Sequence, residues 1–188
     1  ASWILIATGS VPYRPVQIDF ASDRIHDTDE ILSIEEIPKS LTIIGAGVIG
    51  CEYACMFSAL GTAVTVVDRN PAILTFLDRE LVLHLQRSME RSGVRFLLSC
   101  NWGAVHATAA GVDVEITGPD GTEPLSTSDL LFATGRSGRL AGLGLERVGI
   151  EPNARGQLQV DEHFATSVPS ILAAGDVIGF PALAATSM

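Results

Sequence analysis

The chain has 188 residues, of which 47% are hydrophobic, and its formal net charge at pH 7 is −10. Its length and apolar content suffice for a sizeable core and exclude an intrinsically disordered chain. The negative charge opposes a broad attraction to nucleic acid or to an anionic membrane, so any phosphate recognition has to be local. No apolar run approaches the roughly 18 residues of a membrane span. We therefore expect neither nucleic acid nor a membrane as a partner.

The three cysteines indicate core residues and not a metal site. Cys51 and Cys55 stand one helical turn apart, with no CxxC motif and no histidine nearby. We predict that they are small buried residues and that the chain binds no metal. Because so few cysteines are typical of a reducing compartment, we expect a cytoplasmic location.

The first 40 residues predict a strand, a connection and a short helix. Residues 2–10 form an apolar run that ends in Thr-Gly-Ser. A natural protein rarely starts inside a buried strand, so we expect the chain to be a fragment of a longer protein. Pro12 and Pro15 then disfavour regular structure. The acid-rich pattern of Ile and Leu over residues 27–36 predicts a short helix.

A glycine-rich turn follows the next predicted strand. Gly45, Gly47 and Gly50 form the pattern G-x-G-x-x-G at the start of a predicted helix over residues 48–60. Gly45 allows the tight turn, Gly47 lets the backbone approach phosphates, and Gly50 lets the helix pack against its strand. The unpaired amides at the start of this helix suit the pyrophosphate of a dinucleotide.

The following strand ends in an acid at the spacing of a ribose ligand. Residues 62–68 are typical of a buried strand and end at Asp68, 18 residues beyond Gly50. Such a carboxylate accepts hydrogen bonds from the adenosine ribose in dinucleotide-binding units. The pattern therefore predicts an NAD(P) site, and a plain βαβ turn without a cofactor is the alternative.

A second helix over residues 78–91 and a strand over residues 94–98 complete a mononucleotide-binding half. Asp78 is the expected N-cap of this helix. Its apolar side chains Leu81, Leu85 and Met89 share one face of the helix.

After this half, the sequence pattern changes from long apolar segments to short segments in which polar and apolar residues alternate. Residues 104–108, 112–117 and 122–126 are short alternating segments, and a Gly-Pro-Asp-Gly turn separates the last two. A buried strand returns over residues 129–136. We predict an α/β fold, a Rossmann-type doubly wound parallel sheet with an inserted three-stranded antiparallel β-meander.

These motifs, in this order, resemble the pyridine nucleotide-disulfide oxidoreductase family, whose members are flavoproteins with two dinucleotide sites. Three strands end in Ala-Thr-Gly or a close variant, which leaves room for a dinucleotide; ordinary strand-to-turn glycines are the alternative. The matching segments are residues 7–9, 45–52, 68, 133–136 and 166–176. They extend over essentially the whole chain.

The resemblance implies three segments. Residues 1–35 and 155–188 would be remnants of an FAD-binding domain, and residues 36–154 would be the NAD(P)-binding domain inserted into it. The dimer interface of the family lies mostly in a C-terminal domain, so the parent protein is expected to be a homo-oligomer through a domain absent here. We expect the fragment alone to be inactive.

The resemblance also assigns site residues. FAD in the parent would lie near Thr8 and Gly9, and Asp176 would bind its ribityl chain. The residues implied for NAD(P) are Gly45, Gly47, Val48, Ile49, Gly50, Glu52, Asp68, Arg69, Thr134, Gly135 and Arg136. Among these, Asp68 favours NAD by repelling a 2′-phosphate, and Arg69 could offset that repulsion. Glu52 would face the nicotinamide side, with simple helix-dipole stabilisation in the first turn as the alternative.

Within the family, residues 50–54, 76–78 and 175–184 resemble the members that transfer hydride between NADPH and NAD through FAD. Dihydrolipoamide dehydrogenases are a close alternative. A non-catalytic NAD(H)-sensing or interaction module is an alternative of another class. His26, His106 and His163 have no recognisable partner in the sequence, and none is assigned a role in catalysis.

Overall fold

A computed structural model describes residues 1–179 and divides them into two compact units. The central unit is Tyr13–Gly135, and the terminal unit combines Ala1–Pro12 with residues 136–179. The strands and helices are β1 (Ile4–Ile6), β2 (Ser10–Pro12), β3 (Ile25–Asp27), β4 (Ser40–Ile44), α1 (Val48–Ala59), β5 (Ala63–Asp68), α2 (Arg79–Arg91), β6 (Arg95–Leu98), β7 (Asn101–Thr108), β8 (Gly111–Gly118), β9 (Gly121–Thr127), β10 (Asp129–Phe132), β11 (Arg136–Gly138) and β12 (Ile171–Ala173). Short 3₁₀ turns lie at Glu30–Ser33, Leu145–Val148 and Gly175–Ile178.

The central unit is built on a parallel sheet with the strand order β3-β10-β4-β5-β6. Chain order reverses between β4 and β10, because β5 and β6 extend the sheet on one side of β4 and β10 joins on the other. Strands β7, β8 and β9 form a separate antiparallel sheet. The predicted fold class is therefore confirmed, including the inserted meander.

Both faces of the parallel sheet are covered, so its strands are near-continuous apolar runs. Ile43 and Val66 point to one face, which packs against buried side chains of α1 and α2. Ile44 and Val67 point to the other face, which packs against Val112 and its neighbours in the meander. The meander thus covers a face that helices cover in a fully doubly wound fold.

The apolar face noted in the sequence of α2 is only partly its buried face. Val82 and Met89 are its buried residues, whereas Leu81 and Leu85 are 67% and 37% exposed. Asp78 caps the helix as predicted and accepts the N–H of Glu80 at 2.9 Å.

The predicted helix over residues 27–36 is wrong except for one 3₁₀ turn. Residues 25–27 instead form β3, which pairs in parallel with β10. The Asp27 carboxylate accepts the N–H groups of Asp29 and Glu30 at 2.8 and 2.9 Å. These bonds form a tight turn directly after the strand, and the 3₁₀ turn Glu30–Ser33 follows it.

The unit boundaries also differ from the predicted domain boundaries after residues 35 and 154. Pairing of β3 with β10 places residues 13–35 in the central unit. Pairing of β11 with β2 places the segment after residue 135 in the terminal unit. The assignment of the two units to NAD(P) and FAD stays a prediction.

The terminal unit contains two small sheets. In one, β1 pairs in parallel with β12; in the other, β2 pairs in antiparallel with β11. Its core includes Ile6, Leu158 and Val177. Residues 180–184 of the predicted motif at 175–184 lie outside the described residues. No helix of the described part is long and apolar enough to cross a membrane.

The two cysteines of α1 have different environments. Cys51 is buried, but Cys55 is exposed, which corrects the expectation that both are core residues. Burial raises the pKa of the Cys51 thiol to about 12, and the nearby Cys55 and acidic groups add to the shift. Because the thiolate is the nucleophile, Cys51 is chemically inert at neutral pH.

We expect iodoacetamide at pH 8 to alkylate Cys55 in the folded protein and to leave Cys51 unmodified. The reason is the combination of burial and a raised pKa at Cys51. Tandem mass spectrometry of the digested protein separates the two sites, and alkylation in urea, where both thiols are exposed, is the control. Equal labelling of both cysteines without urea would contradict the described packing of α1.

Candidate functional site

The glycine-rich turn lies where β4 ends and is fixed by close backbone contacts. Gly45 has φ +112°, and its N–H donates to the Val67 carbonyl at 2.8 Å. A Cβ atom on Gly45 would lie 2.5 Å from the Ala133 carbonyl oxygen, and one on Gly50 would lie 2.0 Å from the Gly45 carbonyl oxygen. Only glycine fits at either position, as predicted from the motif.

Gly47 differs from the other two glycines of the motif. It is exposed, its φ is −77°, and a Cβ atom there would meet none of the described atoms within 4 Å. The space in front of Gly47 is therefore open to a ligand, and a side chain at this position would fill it. This is the arrangement that a close approach of phosphate to the backbone requires.

The start of α1 offers hydrogen-bond donors beside this space. The helix begins at Val48, and Cys51 is the residue whose N–H reaches back to Gly47, at 2.9 Å. The amides of Val48, Ile49 and Gly50 precede that bond, and no side chain of the described residues caps the helix. Together with the positive end of the helix dipole, these donors fit a pyrophosphate.

Glu52 lies one turn further along α1 than the sequence analysis assumed. Because the helix begins at Val48, Glu52 is its fifth residue, and the first turn contains no acid. Its side chain is exposed. Stabilisation by the helix dipole weakens beyond the first turn. The alternative to a role near the nicotinamide, which was helix-dipole stabilisation of the Glu52 carboxylate, is therefore weaker than expected.

Asp68 is the last residue of β5, and its side chain stabilises the glycine-rich turn. Its Oδ2 accepts the Ala46 N–H at 2.6 Å, and its Oδ1 accepts both the backbone N–H and the side-chain amide of Asn70 at 2.8 Å. The Leu74 N–H donates to the Ala46 carbonyl at 3.0 Å. The predicted ribose ligand is thus also a structural part of the turn.

The other predicted NAD(P) residues fall into two groups. Thr134 and Gly135 are exposed just after β10, and the preceding Ala133 donates its N–H to the Ile44 carbonyl at 2.8 Å. They therefore lie at the same sheet edge as the glycine-rich turn. Arg69 is exposed beside Asp68.

Arg136 belongs to the terminal unit and contacts residues there. Its Nε donates to the Ser10 hydroxyl at 2.8 Å, and the Ser10 hydroxyl donates to Asp176 Oδ2 at 2.9 Å. Arg136 was expected with the NAD(P) residues, but the structure brings it together with Asp176, predicted for FAD. Thr8 is exposed and Gly9 has φ +73° directly before Ser10. Ser10, which the sequence analysis missed, links the arginine to the acid.

A buried polar pair in the central unit was also missed. His26 Nε2 lies 3.0 Å from Asp129 Oδ1, and both side chains are about nine-tenths buried. The expectation that His26 has no partner is therefore wrong. No pattern in the sequence points to the pair, because β3 and β10 are separated by 101 residues and only their pairing brings the two side chains together.

Arg14 and Asp27 form an ion pair at the end of β3, in which only the Asp27 side chain is buried. The guanidinium donates from Nε to Asp27 Oδ2 at 2.7 Å and also pairs with Glu30.

Within residues 1–179, no cluster of three His, Cys, Asp or Glu side chains could hold a metal ion.

Comparison with known proteins places this arrangement among flavoproteins. The family model described as pyridine nucleotide-disulphide oxidoreductase matches residues 1–188. The chain is 44% identical over 187 residues to a soluble pyridine nucleotide transhydrogenase of Chromohalobacter salexigens and 43% identical to that of Ectopseudomonas mendocina. In both cases all of this chain aligns with 40% of the relative.

Solved structures agree with the sequence relatives. LpdA from Mycobacterium tuberculosis has a TM-score of 0.87 at 32% identity, covering 98% of this chain and 40% of that protein. The HOCl-induced flavoprotein disulfide reductase RclA from Escherichia coli has a TM-score of 0.85 at 28% identity, covering 98% of this chain and 42% of that one. The chain therefore spans about two fifths of the length of these proteins.

Proposed function

The chain belongs to the pyridine nucleotide-disulphide oxidoreductase family, and we propose that its central unit binds NAD(P)(H) at the glycine-rich turn. The observation that carries the proposal is the open space in front of Gly47 beside the uncapped start of α1. The amides of Val48, Ile49 and Gly50 hold the pyrophosphate, while the tight contacts of Gly45 and Gly50 keep the turn in shape.

Other residues position the two halves of the nucleotide. Asp68 accepts hydrogen bonds from the adenosine ribose, and Arg69 pairs with a 2′-phosphate when one is present. Glu52 faces the nicotinamide half, and Thr134 and Gly135 line the opposite edge at the end of β10. These roles follow from the shared sheet edge and from the family pattern.

For the parent protein we propose a flavoprotein with the activity named for its sequence relatives, pyridine nucleotide transhydrogenation. NAD(P)H and FAD, when bound, supply the hydride-transfer chemistry. Thr8, Gly9 and Asp176 contribute to holding FAD, and Ser10 and Arg136 orient the Asp176 carboxylate. The residues of this chain therefore bind and orient the cofactors, and the electron transfer itself is a property of those cofactors.

A disulfide reductase is the second candidate, favoured by the likeness to RclA. The two differ in the oxidant: a transhydrogenase reduces NAD with NADPH, whereas a disulfide reductase reduces a disulfide. Assaying the full-length parent with each acceptor distinguishes them. Tight NADH binding by a parent with no flavin and no turnover would instead support a sensing module. A cytoplasmic location and a homo-oligomeric parent complete the proposal.

We expect Asp68→Ala to raise the affinity for NADPH relative to NADH by about ten-fold. The substitution removes a ribose acceptor and the repulsion of a 2′-phosphate. The substitution also removes the hydrogen bond from the Ala46 N–H. That loss lowers the affinities for NADH and NADPH alike, so it cancels in the ratio of the two affinities. Calorimetric titration of each nucleotide into wild type and variant measures it.

Two outcomes of this titration count against the proposal. An unchanged NADPH to NADH ratio would remove the ribose role of Asp68. No NADH binding by folded wild-type protein at millimolar concentrations would remove the nucleotide site itself. Arg69→Ala is the matched control, since it should lower NADPH affinity and leave NADH affinity unchanged.

A further inference from the structure

The Asp68 carboxylate is already engaged by three donors. Oδ2 accepts one hydrogen bond, from the Ala46 N–H at 2.6 Å. Oδ1 accepts two at 2.8 Å, from the backbone N–H and from the side-chain Nδ2 of Asn70. A carboxylate offers about four acceptor positions, so one position remains on this group.

The backbone around Asp68 is held in place, whereas the Asn70 side chain is not enclosed. The Cys100 N–H donates to the Asp68 carbonyl at 3.0 Å, and the Ser99 N–H donates to the Asn70 carbonyl at 2.9 Å. Asn70 itself is exposed. Its side-chain amide is therefore the donor to Asp68 that can turn away without moving the main chain.

The two nicotinamide dinucleotides make opposite demands on this position. The adenosine ribose of NAD has two hydroxyl donors, and binding both to Asp68 needs two acceptor positions where one remains. The 2′-phosphate of NADP has acceptor oxygens and no hydroxyl donor at that carbon, so it gains nothing from a carboxylate but gains from an amide donor. The Asn70 amide thus competes with the ribose hydroxyls of NAD for Asp68 and offers a donor to the 2′-phosphate of NADP.

We infer that the Asn70 side-chain amide determines specificity between NAD and NADP. In the protein without nucleotide it occupies Asp68 Oδ1; the ribose hydroxyls of NAD displace it from that atom. Nδ2 carries two hydrogens, so when NADP binds it donates to the 2′-phosphate without having to be displaced from Oδ1. This inference rests on the proposed nucleotide site, and it explains how a chain with an acid at the end of β5 could accept both nucleotides.

The test is Asn70→Ala, assayed by calorimetric titration with NADH and with NADPH. The variant keeps the backbone N–H that donates to Asp68, so the turn retains its main contacts. We expect NADH to bind more tightly and NADPH more weakly, with the ratio of the two affinities changing about ten-fold or more in favour of NADH. A thermal melt verifies that the variant is folded.

The control and the other outcomes separate this inference from the proposed function. Arg69→Ala should weaken NADPH without tightening NADH. An unchanged ratio in Asn70→Ala, or an equal loss of both affinities, would overturn the specificity role while the nucleotide site stands. Failure of wild-type protein to bind either nucleotide would overturn the proposed function and this inference with it.

Discussion

Gly50→Ala is expected to abolish NADH binding and to destabilise the central unit by about 3 kcal/mol. The added methyl group would lie 2.0 Å from the Gly45 carbonyl oxygen, and that atom belongs to the backbone of the turn. A flexible side chain could move aside, but this carbonyl cannot move without separating α1 from β4. Urea denaturation measures the stability, and calorimetry measures the binding.

Gly47→Ala is the matched control within the same motif. A Cβ atom there meets none of the described atoms within 4 Å, and the φ of −77° is open to any residue. We expect the unfolding free energy to stay within about 0.5 kcal/mol of wild type, while NADH affinity falls because the methyl group occupies the phosphate space. Equal destabilisation by the two substitutions, or unchanged NADH affinity in Gly47→Ala, would contradict the assignment of separate roles.

Asp27→Asn is expected to lower the unfolding free energy at pH 7 by about 2 kcal/mol, since it weakens hydrogen bonds to a buried charged acceptor. Burial by itself would raise the pKa of Asp27, but the donors that face it outweigh burial. These are the N–H groups of Glu30 and Asp29 and the Arg14 guanidinium, and together they hold the pKa below its usual value of 3.8.

The depressed pKa fixes the sign of the pH dependence. Asp27 contributes its full stability above about pH 5, where the carboxyl group is ionised in both states, and loses it as the pH falls through the folded pKa. Wild type should therefore lose stability more steeply than Asp27→Asn below about pH 4. Denaturation curves between pH 7 and pH 3 measure both slopes.

Glu30→Gln is the control for this prediction. Glu30 also pairs with Arg14, but its side chain is 45% exposed. Exposed ion pairs contribute about 0–1 kcal/mol, so this variant should keep nearly the wild-type stability at pH 7. Parallel acid slopes for wild type and Asp27→Asn would show that Asp27 is not stabilised in the way described.

Much of the dinucleotide unit could be predicted because its signals are local. The spacing of Gly45, Gly47 and Gly50, the cap at Asp78 and the apolar run before Asp68 each act within a few residues of chain. Backbone sterics and helix capping depend on such neighbours, so the strands β4, β5, β6 and β10, the helices α1 and α2 and the meander appear where the sequence places them. The residue motif was sufficient to locate the turn at the end of β4.

Other features depend on partners that are distant in the chain. The sequence could not show that Val82, and not Leu81, faces the core, since that depends on how α2 is rotated against the sheet. Nor could it show that residues 13–35 join the central unit, because β3 enters the sheet only by pairing with β10. Long-range pairing has no local signal until the strands meet.

The sequence by itself determined the chemistry available at the site: glycines that free the backbone and an acid after the second strand of the motif. The tertiary structure alone decided how that acid is used. Folding places Ala46 and Asn70 around the Asp68 carboxylate and fills three of its acceptor positions. It also pairs His26 with Asp129 across two strands. Hydrogen bonds are short and directional, so the partner of a polar side chain is known only when the fold has placed both atoms.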